Sequence, residues 1–353
     1  MENAVYEKLA KHLDKLPGGF PPTDSGVELR ILKRLFTPHE AEIATALRMK
    51  LDPPSAIAKQ LDMNESELTP LLESMSKKGL ILRSGKKGKN HYMAAQFMVG
   101  IWEYHVNDLN EALIHDANEY IPHLMKEIWV KQKTRQLRVI PISKSISAEM
   151  NVMAYEEAEK IIRAESKIVV APCICRKEHE MVGKGCGKLQ EACLIFGGGA
   201  FFYEENGLGR PISQEEALEI LNKGIEQGLV LQPGNSQKPM NICMCCGCCC
   251  QVLKNLNKLE EPAKAVCSNY YVTVNEENCT ACGTCEERCQ MNAITVEDTA
   301  QVSLARCIGC GICVAACDSE AMVLVEKDAS EKYIPPKNTV RMYMKLAQGR
   351  GVM

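Results

Sequence analysis

All nineteen cysteines of this 353-residue chain lie between Cys173 and Cys317. One half of the sequence is rich in thiols and the other has none. The count is odd, so a disulfide scheme leaves at least one thiol over. No apolar leader follows the opening MENAVYEKLAKHLDK, which leads us to expect a cytoplasmic chain. Disulfides rarely persist there, and clustered thiols point to metal ligation instead. The most apolar run, ACLIFGGGAFFY, is too short and too glycine-rich to span a bilayer, so no membrane insertion is expected. Hydrophobic content of 46% and charged content of 25% are ordinary for a globular chain, and the net charge of -3 indicates no strongly charged partner. The length allows two or three domains.

Near the carboxyl end, CTACGTCEERC and CIGCGICVAAC are tandem C-x2-C-x2-C-x3-C runs, built from Cys279, Cys282, Cys285, Cys289 and from Cys307, Cys310, Cys313, Cys317. Single C-x2-C pairs also suit zinc, but two tandem four-cysteine runs at this spacing argue against it. Residues 271–327 resemble the bacterial-type ferredoxin with two [4Fe-4S] clusters. The resemblance implies that Cys279, Cys282, Cys285 and Cys317 hold one cluster. Cys307, Cys310, Cys313 and Cys289 would hold the other, each fourth cysteine starting a short helix and crossing over. Ala293-Ile294 and Ala321-Met322 after each run also match that family. Gln290 and Asp318 stand where the family usually has proline, which puts the local turn and the potentials at issue but not the ligation.

Eleven cysteines remain. Cys173, Cys175, Cys186 and Cys193 suffice for one further [4Fe-4S] cluster, and Cys243, Cys245, Cys246, Cys248, Cys249 and Cys250 with Cys267 supply a second set. Neighbouring cysteines in NICMCCGCCC point in different directions, so some face one site and some another, or lie buried as apolar residues. We expect one or two more clusters here. AYEEAEKIIRAESKIVVAPCIC and SQEEALEILNKGIEQGLVLQPGN share a helix–strand plan, a weak internal repeat. Ser213 with Glu216 reads as a capping box, and Ala217, Leu218, Leu221 and Ile225 share one helical face. FGGGAFFYEENGLGR reads either as backbone that approaches a cluster closely and offers amide donors to its sulfurs or as an ordinary glycine-rich turn, and no G-x-G-x-x-G runs from strand into helix. The region resembles multi-cysteine iron–sulfur proteins of anaerobes.

Residues 1–95 resemble a winged helix-turn-helix domain. VELRILKRLF, HEAEIATALRM, PSAIAKQLDM and ESELTPLLESMSKKG read as helices, with a hairpin from LILRS to HYMAA. Lys86, Lys87 and Lys89 would occupy its wing. The second helix of the motif carries Glu65, Glu67 and Glu73 against Lys77 and Lys78, and residues 1–95 hold 15 Lys plus Arg against 12 Asp plus Glu. Phosphate binding needs clustered basic groups, so docking or dimerisation is expected rather than nucleic-acid binding. Residues 96–170 form a largely helical linker containing Trp102 and Trp129, closing with a strand in QLRVIPISKSI. His105, His115 and His123 have no matching cysteine and read as packing or surface residues. Residues 328–353 read as an extended tail that docks on something.

The expected fold is thus α+β and multi-domain: a winged-helix-like domain (1–95), a helical linker (96–170), an α/β cysteine-rich domain (171–270), the ferredoxin-like domain (271–327) and the tail. No acid–base pair, nucleophile or organic-cofactor loop is recognisable. The expected function is electron transfer, relaying low-potential electrons to or from a redox partner or a larger oxidoreductase complex. Two other functions remain open: a redox-sensing winged-helix regulator, and an oxidoreductase with an unusual middle cluster.

Overall fold

The computed structural model describes residues 2–85, 89–150 and 152–352; Lys86 and Lys87 of the expected wing lie outside them. The chain divides into two compact units. One comprises Met1–Lys133, Phe201–Leu208 and Tyr343–Met353, the other Thr134–Ala200 and Gly209–Met342.

The first unit begins with helices α1 (Glu2–Asp14), α2 (Val27–Leu35), α3 (Pro38–Ala44), α4 (Pro54–Leu61) and α5 (Glu65–Lys77). Thr37 and Glu40 form a capping box at α3, and Asn64 caps α5 by accepting from the Ser66 amide at 3.0 Å. Strands β1 (Ile81–Ser84) and β2 (His91–Ala94) pair antiparallel. Glu73 is committed to this hairpin: it pairs with Arg83 and accepts from the Tyr92 hydroxyl at 3.0 Å and Asn90 at 3.3 Å. Glu65 and Glu67 are exposed in the first turn of α5, where carboxylates suit the positive end of the helix dipole.

The helix expected through residues 97–130 is interrupted. A wide turn at Phe97–Ile101 leads into the three-residue α6 (Trp102–Tyr104), which ends at His105, and α7 (Glu111–Leu124) starts afresh. Asn110 causes the restart, its side chain accepting from the Leu113 amide at 3.0 Å. Phe20, Phe97 and Tyr120 pack with ring centroids 4.8–5.4 Å apart at the centre of this unit. Asp116 of α7, its side chain 4% exposed, pairs with Arg30 and Arg34 of α2 at 3.3 and 2.7 Å. The end of the tail belongs to this same unit and is helical rather than extended: Arg350 donates to the Asp14 carbonyl at 2.7 Å and to its carboxylate at 2.9 Å.

The second unit contains α8 (Ala158–Arg163), β3 (Ile168–Pro172), α9 (Ile174–Met181), β4 (Glu191–Phe196), α10 (Gly197–Glu205, continuing into the first unit), β5 (Arg210–Ile212), α11 (Gln214–Glu226), β6 (Val230–Pro233), β7 (Asn241–Cys245) and α12 (Gln251–Leu256). Ser213 caps α11, accepting from the Glu216 amide at 3.2 Å. The sheet order is β5-β3-β4-β7-β6, and every pairing is antiparallel. The α/β expectation for this region is therefore corrected. The eight residues of α9 carry the chain away and the irregular segment 182–190 brings it back to the same end of the sheet, so β4 runs against β3. Two further expectations also change. Residues 136–146 contribute bridges at Leu137 and Ile140 rather than a strand, and the glycine-rich segment from Gly197 is helical.

The remaining elements are β8 (Tyr270–Val274), α13 (Thr284–Arg288), β9 (Ile294–Val296), β10 (Ala300–Val302), α14 (Ile312–Ala315), β11 (Met322–Glu326) and α15 (Thr339–Arg350). β8 pairs with β11 and β9 with β10, all antiparallel. Tyr270, Val272, Ile294, Ala300, Met322 and Leu324 form a buried cluster with Cys285 and Cys313. Among the described residues no helix is long and apolar enough to cross a membrane.

Candidate metal centres

The eight cysteines of the tandem runs line two separate cavities. Cys279, Cys282, Cys285 and Cys317 surround one, with Val296, Ala300 and Met322. Cys307, Cys310, Cys313 and Cys289 surround the other, with Val272, Ile294 and Ile312. Each cavity thus takes three cysteines from one run and the fourth from the other. The exchange arises because α13 and α14 each contain the third cysteine and end just before the fourth; Cys289 is the C-cap of α13. The expectation that the fourth cysteine starts a helix is corrected accordingly. Backbone amides already face the sulfurs: Ala293 donates to Cys289 and Ala300 to Cys279, both at 3.3 Å. Burial pushes the Cys310 thiol up to about 12 and raises Cys313 further, so a bound cation is what would hold these sulfurs as thiolates. Apolar walls, convergent thiols and amide donors suit a [4Fe-4S] cluster in each cavity.

The eleven middle cysteines are brought together differently from their order in the chain. In β7 the alternation of a strand puts Cys243 and Cys245 on one face, while Ile242 and Met244 enter the core. Cys193 of β4 lies directly across from Cys243. Cys173 caps α9 and Cys175 lies in its first turn. With Cys250 these form a string of neighbouring sulfurs in the order Cys173, Cys175, Cys250, Cys245, Cys243, Cys193. Hydrogen bonds from neighbouring thiols pull Cys173, Cys243 and Cys250 toward thiolate, and the same contacts hold Cys175 and Cys245 as thiols. Gln232 donates to Cys250 at 3.8 Å and Asn241 to Cys243 at 3.4 Å.

Cys186, from the loop after α9, joins Cys246, Cys248 and Cys249 in a second group. The sets expected from sequence are therefore interleaved, because the β4–β7 pairing and the loop return override chain order. Cys267 belongs to neither group; it is buried and accepts from Asn235 at 3.8 Å.

Sequence reasoning missed the roles of two residues here. Arg176 is 1% exposed and donates to the Met244 carbonyl at 3.1 Å and to Cys246 at 3.7 Å. Burial opposes its charge, but Cys173, Cys246 and Cys245 raise its pKa above the usual guanidinium value. Its only sequence signal is its place next to Cys175. The second is Gln290, which stands where proline is usual. Its side-chain oxygen accepts from the Gly247 amide at 2.8 Å and its carbonyl accepts from Asn257 at 2.8 Å. The side-chain bond, which proline could not replace, clasps the Cys246–Cys249 turn to the segment carrying Cys289. Of the three histidines, His105 and His123 bond to the backbone carbonyls of Ile101 and Pro22. His115 groups with Asp116 and Glu119 at metal-like spacing, but Arg30 and Arg34 already engage those carboxylates.

Residues 272–295 and 300–323 match the model of the 4Fe-4S binding domain family. No curated protein and no solved structure matches the chain. The carboxyl-terminal module is ferredoxin-like, and with its many cysteines the chain reads as an iron–sulfur protein of electron transfer.

Proposed function

We propose that the chain is an electron carrier with three or more cluster sites, which exchanges low-potential electrons with a redox protein partner. Cys279, Cys282, Cys285 and Cys317 hold one [4Fe-4S] cluster, and Cys307, Cys310, Cys313 and Cys289 the second. The string of Cys173, Cys175, Cys193, Cys243, Cys245 and Cys250 holds a further cluster. When bound, such clusters accept and release one electron each. The observation that carries the proposal is the division of eight cysteines between two apolar-walled cavities with the fourth ligand exchanged. Cys282 is exposed, which puts the first cavity within reach of a partner, while the Gln290 clasp keeps the second beside the middle cysteines. Residues 1–95 supply a winged-helix-like docking or self-association domain, since Glu73 is spent on its own hairpin and the remaining acidic side chains of α5 would repel phosphate.

Anaerobic purification with iron and acid-labile sulfide analysis tests this proposal. More than eight of each per chain is expected, and a total of only eight refutes the additional cluster. Cys310→Ala should remove four irons and four sulfides and leave the other signals in place. Loss of every iron–sulfur signal from a chain that still unfolds cooperatively refutes separate sites.

A further inference from the structure

The two kinds of four-cysteine site differ in how far apart their sulfurs stand. The sulfurs of Cys186, Cys246, Cys248 and Cys249 all lie within 4.8 Å of one another, and Cys248 and Cys249 are 3.8 Å apart. Among the described residues no three sulfurs of either ferredoxin set come together that closely. Four thiolates at about 2.3 Å from one tetrahedral ion stand about 3.8 Å apart. Around a cubane each thiolate binds a different iron, so the sulfurs separate by a further iron–iron edge, to about 6 Å or more. The tight group leaves no room for a cubane, and it has the size of a single-ion shell.

We propose that Cys186, Cys246, Cys248 and Cys249 bind one tetrahedral zinc ion, which staples the loop after α9 to the turn before α12. Four thiolates complete the coordination of zinc, with no open position, as in closed structural sites. The surroundings suit the net charge of -2 that such a site carries. Arg176 donates to Cys246 at 3.7 Å and offsets one of those charges.

The loop explains what the ion is for. Residues 183–190 have no regular structure. The start of the loop is tied to α9 through the Lys184 amide and the His179 carbonyl at 2.7 Å. The end is held by Lys188 and Leu189 on Gln227 at 2.8 and 2.6 Å. Cys186 sits between these anchors and reaches the turn, where Gly247 is clasped by Gln290. The ion thus fixes the segment that leads from Cys173 and Cys175 to Cys193. This inference is independent of how many iron clusters the chain holds.

The test uses the anaerobically purified full-length protein. Metal analysis should find one zinc per chain in addition to iron, and X-ray absorption at the zinc edge should find four sulfurs at about 2.3 Å. Cys186→Ser and Cys248→Ser should lose the zinc and keep the iron and sulfide of the parent. Trypsin should then cut the folded variants after the exposed Lys184 several-fold faster. Absence of zinc from the parent, nitrogen or oxygen in the zinc shell, or loss of four irons and four sulfides from the variants overturns the proposal. The absorption measurement decides even if neither variant folds.

Discussion

Substituting Gly309 by alanine separates two costs that usually come together. Gly309 lies between Cys307 and Cys310 with φ +67°, in the left-handed region. Its counterpart between Cys279 and Cys282 is Ala281, which adopts φ 52° despite its Cβ. The strain of that conformation, about 1 kcal/mol for a non-glycine residue, is therefore tolerable in this loop. Space is what differs. A Cβ on Gly309 would lie 2.1 Å from the Tyr270 carbonyl oxygen and 2.9 Å from the Ser268 hydroxyl. Tyr270 begins β8 and pairs with Glu326 of β11, so that carbonyl cannot retreat without disturbing the ladder. Overpacking of this kind costs about 1–3 kcal/mol, and with the strain we expect a loss of about 3 kcal/mol. At about 2–4 °C per kcal/mol for a unit of this size, Gly309→Ala should lower the thermal midpoint by about 6–12 °C. Ala281→Gly should stay within about 1 kcal/mol of the parent, because it exchanges relieved strain for chain entropy. Circular dichroism melts at matched iron content measure both. A Gly309→Ala midpoint within about 3 °C of the parent would refute the steric argument.

Three other outcomes follow from the same contacts. Asp116→Ala should cost about 2 kcal/mol, because it removes the buried carboxylate that accepts from both Arg30 and Arg34, although Arg30 keeps its pairing with Glu119. Burial alone would push Asp116 up, but Arg34 and Arg30 hold it below the ordinary carboxylate range. Its contribution is therefore present above about pH 4 and lost as the pH falls through the folded value; parent and variant urea midpoints should converge in acid, and a constant gap refutes this. Gly247→Ala should destabilise by about 1–3 kcal/mol, since its Cβ would lie 2.2 Å from the Gln290 carbonyl, and a neutral urea midpoint sinks the clasp. Any DNA binding by the full chain should be weak, indifferent to sequence and abolished by salt; tight binding in an anisotropy assay that survives about 0.2 M salt contradicts the docking role.

The ferredoxin module was legible because its ligand spacing is local. Three cysteines of each run lie within seven residues, and a loop with one short helix suffices to gather them. The cap at Ser213 was legible for the same reason, because its side chain bonds its own turn. What chain order could not convey was which distant segments meet. Cys193 joins Cys243 because β4 pairs with β7, and Cys186 leaves its sequence neighbours because an irregular loop carries it to another turn. Pairing between strands some fifty residues apart in sequence is a tertiary contact, which no local pattern encodes. The long helix expected after residue 96 failed for a local reason, since Asn110 bonds the backbone and restarts the helix. The contacts of Gln290 and Arg176 were invisible for a different one. A residue that works by clasping another segment has no spacing of its own, and only the tertiary structure supplies its partner.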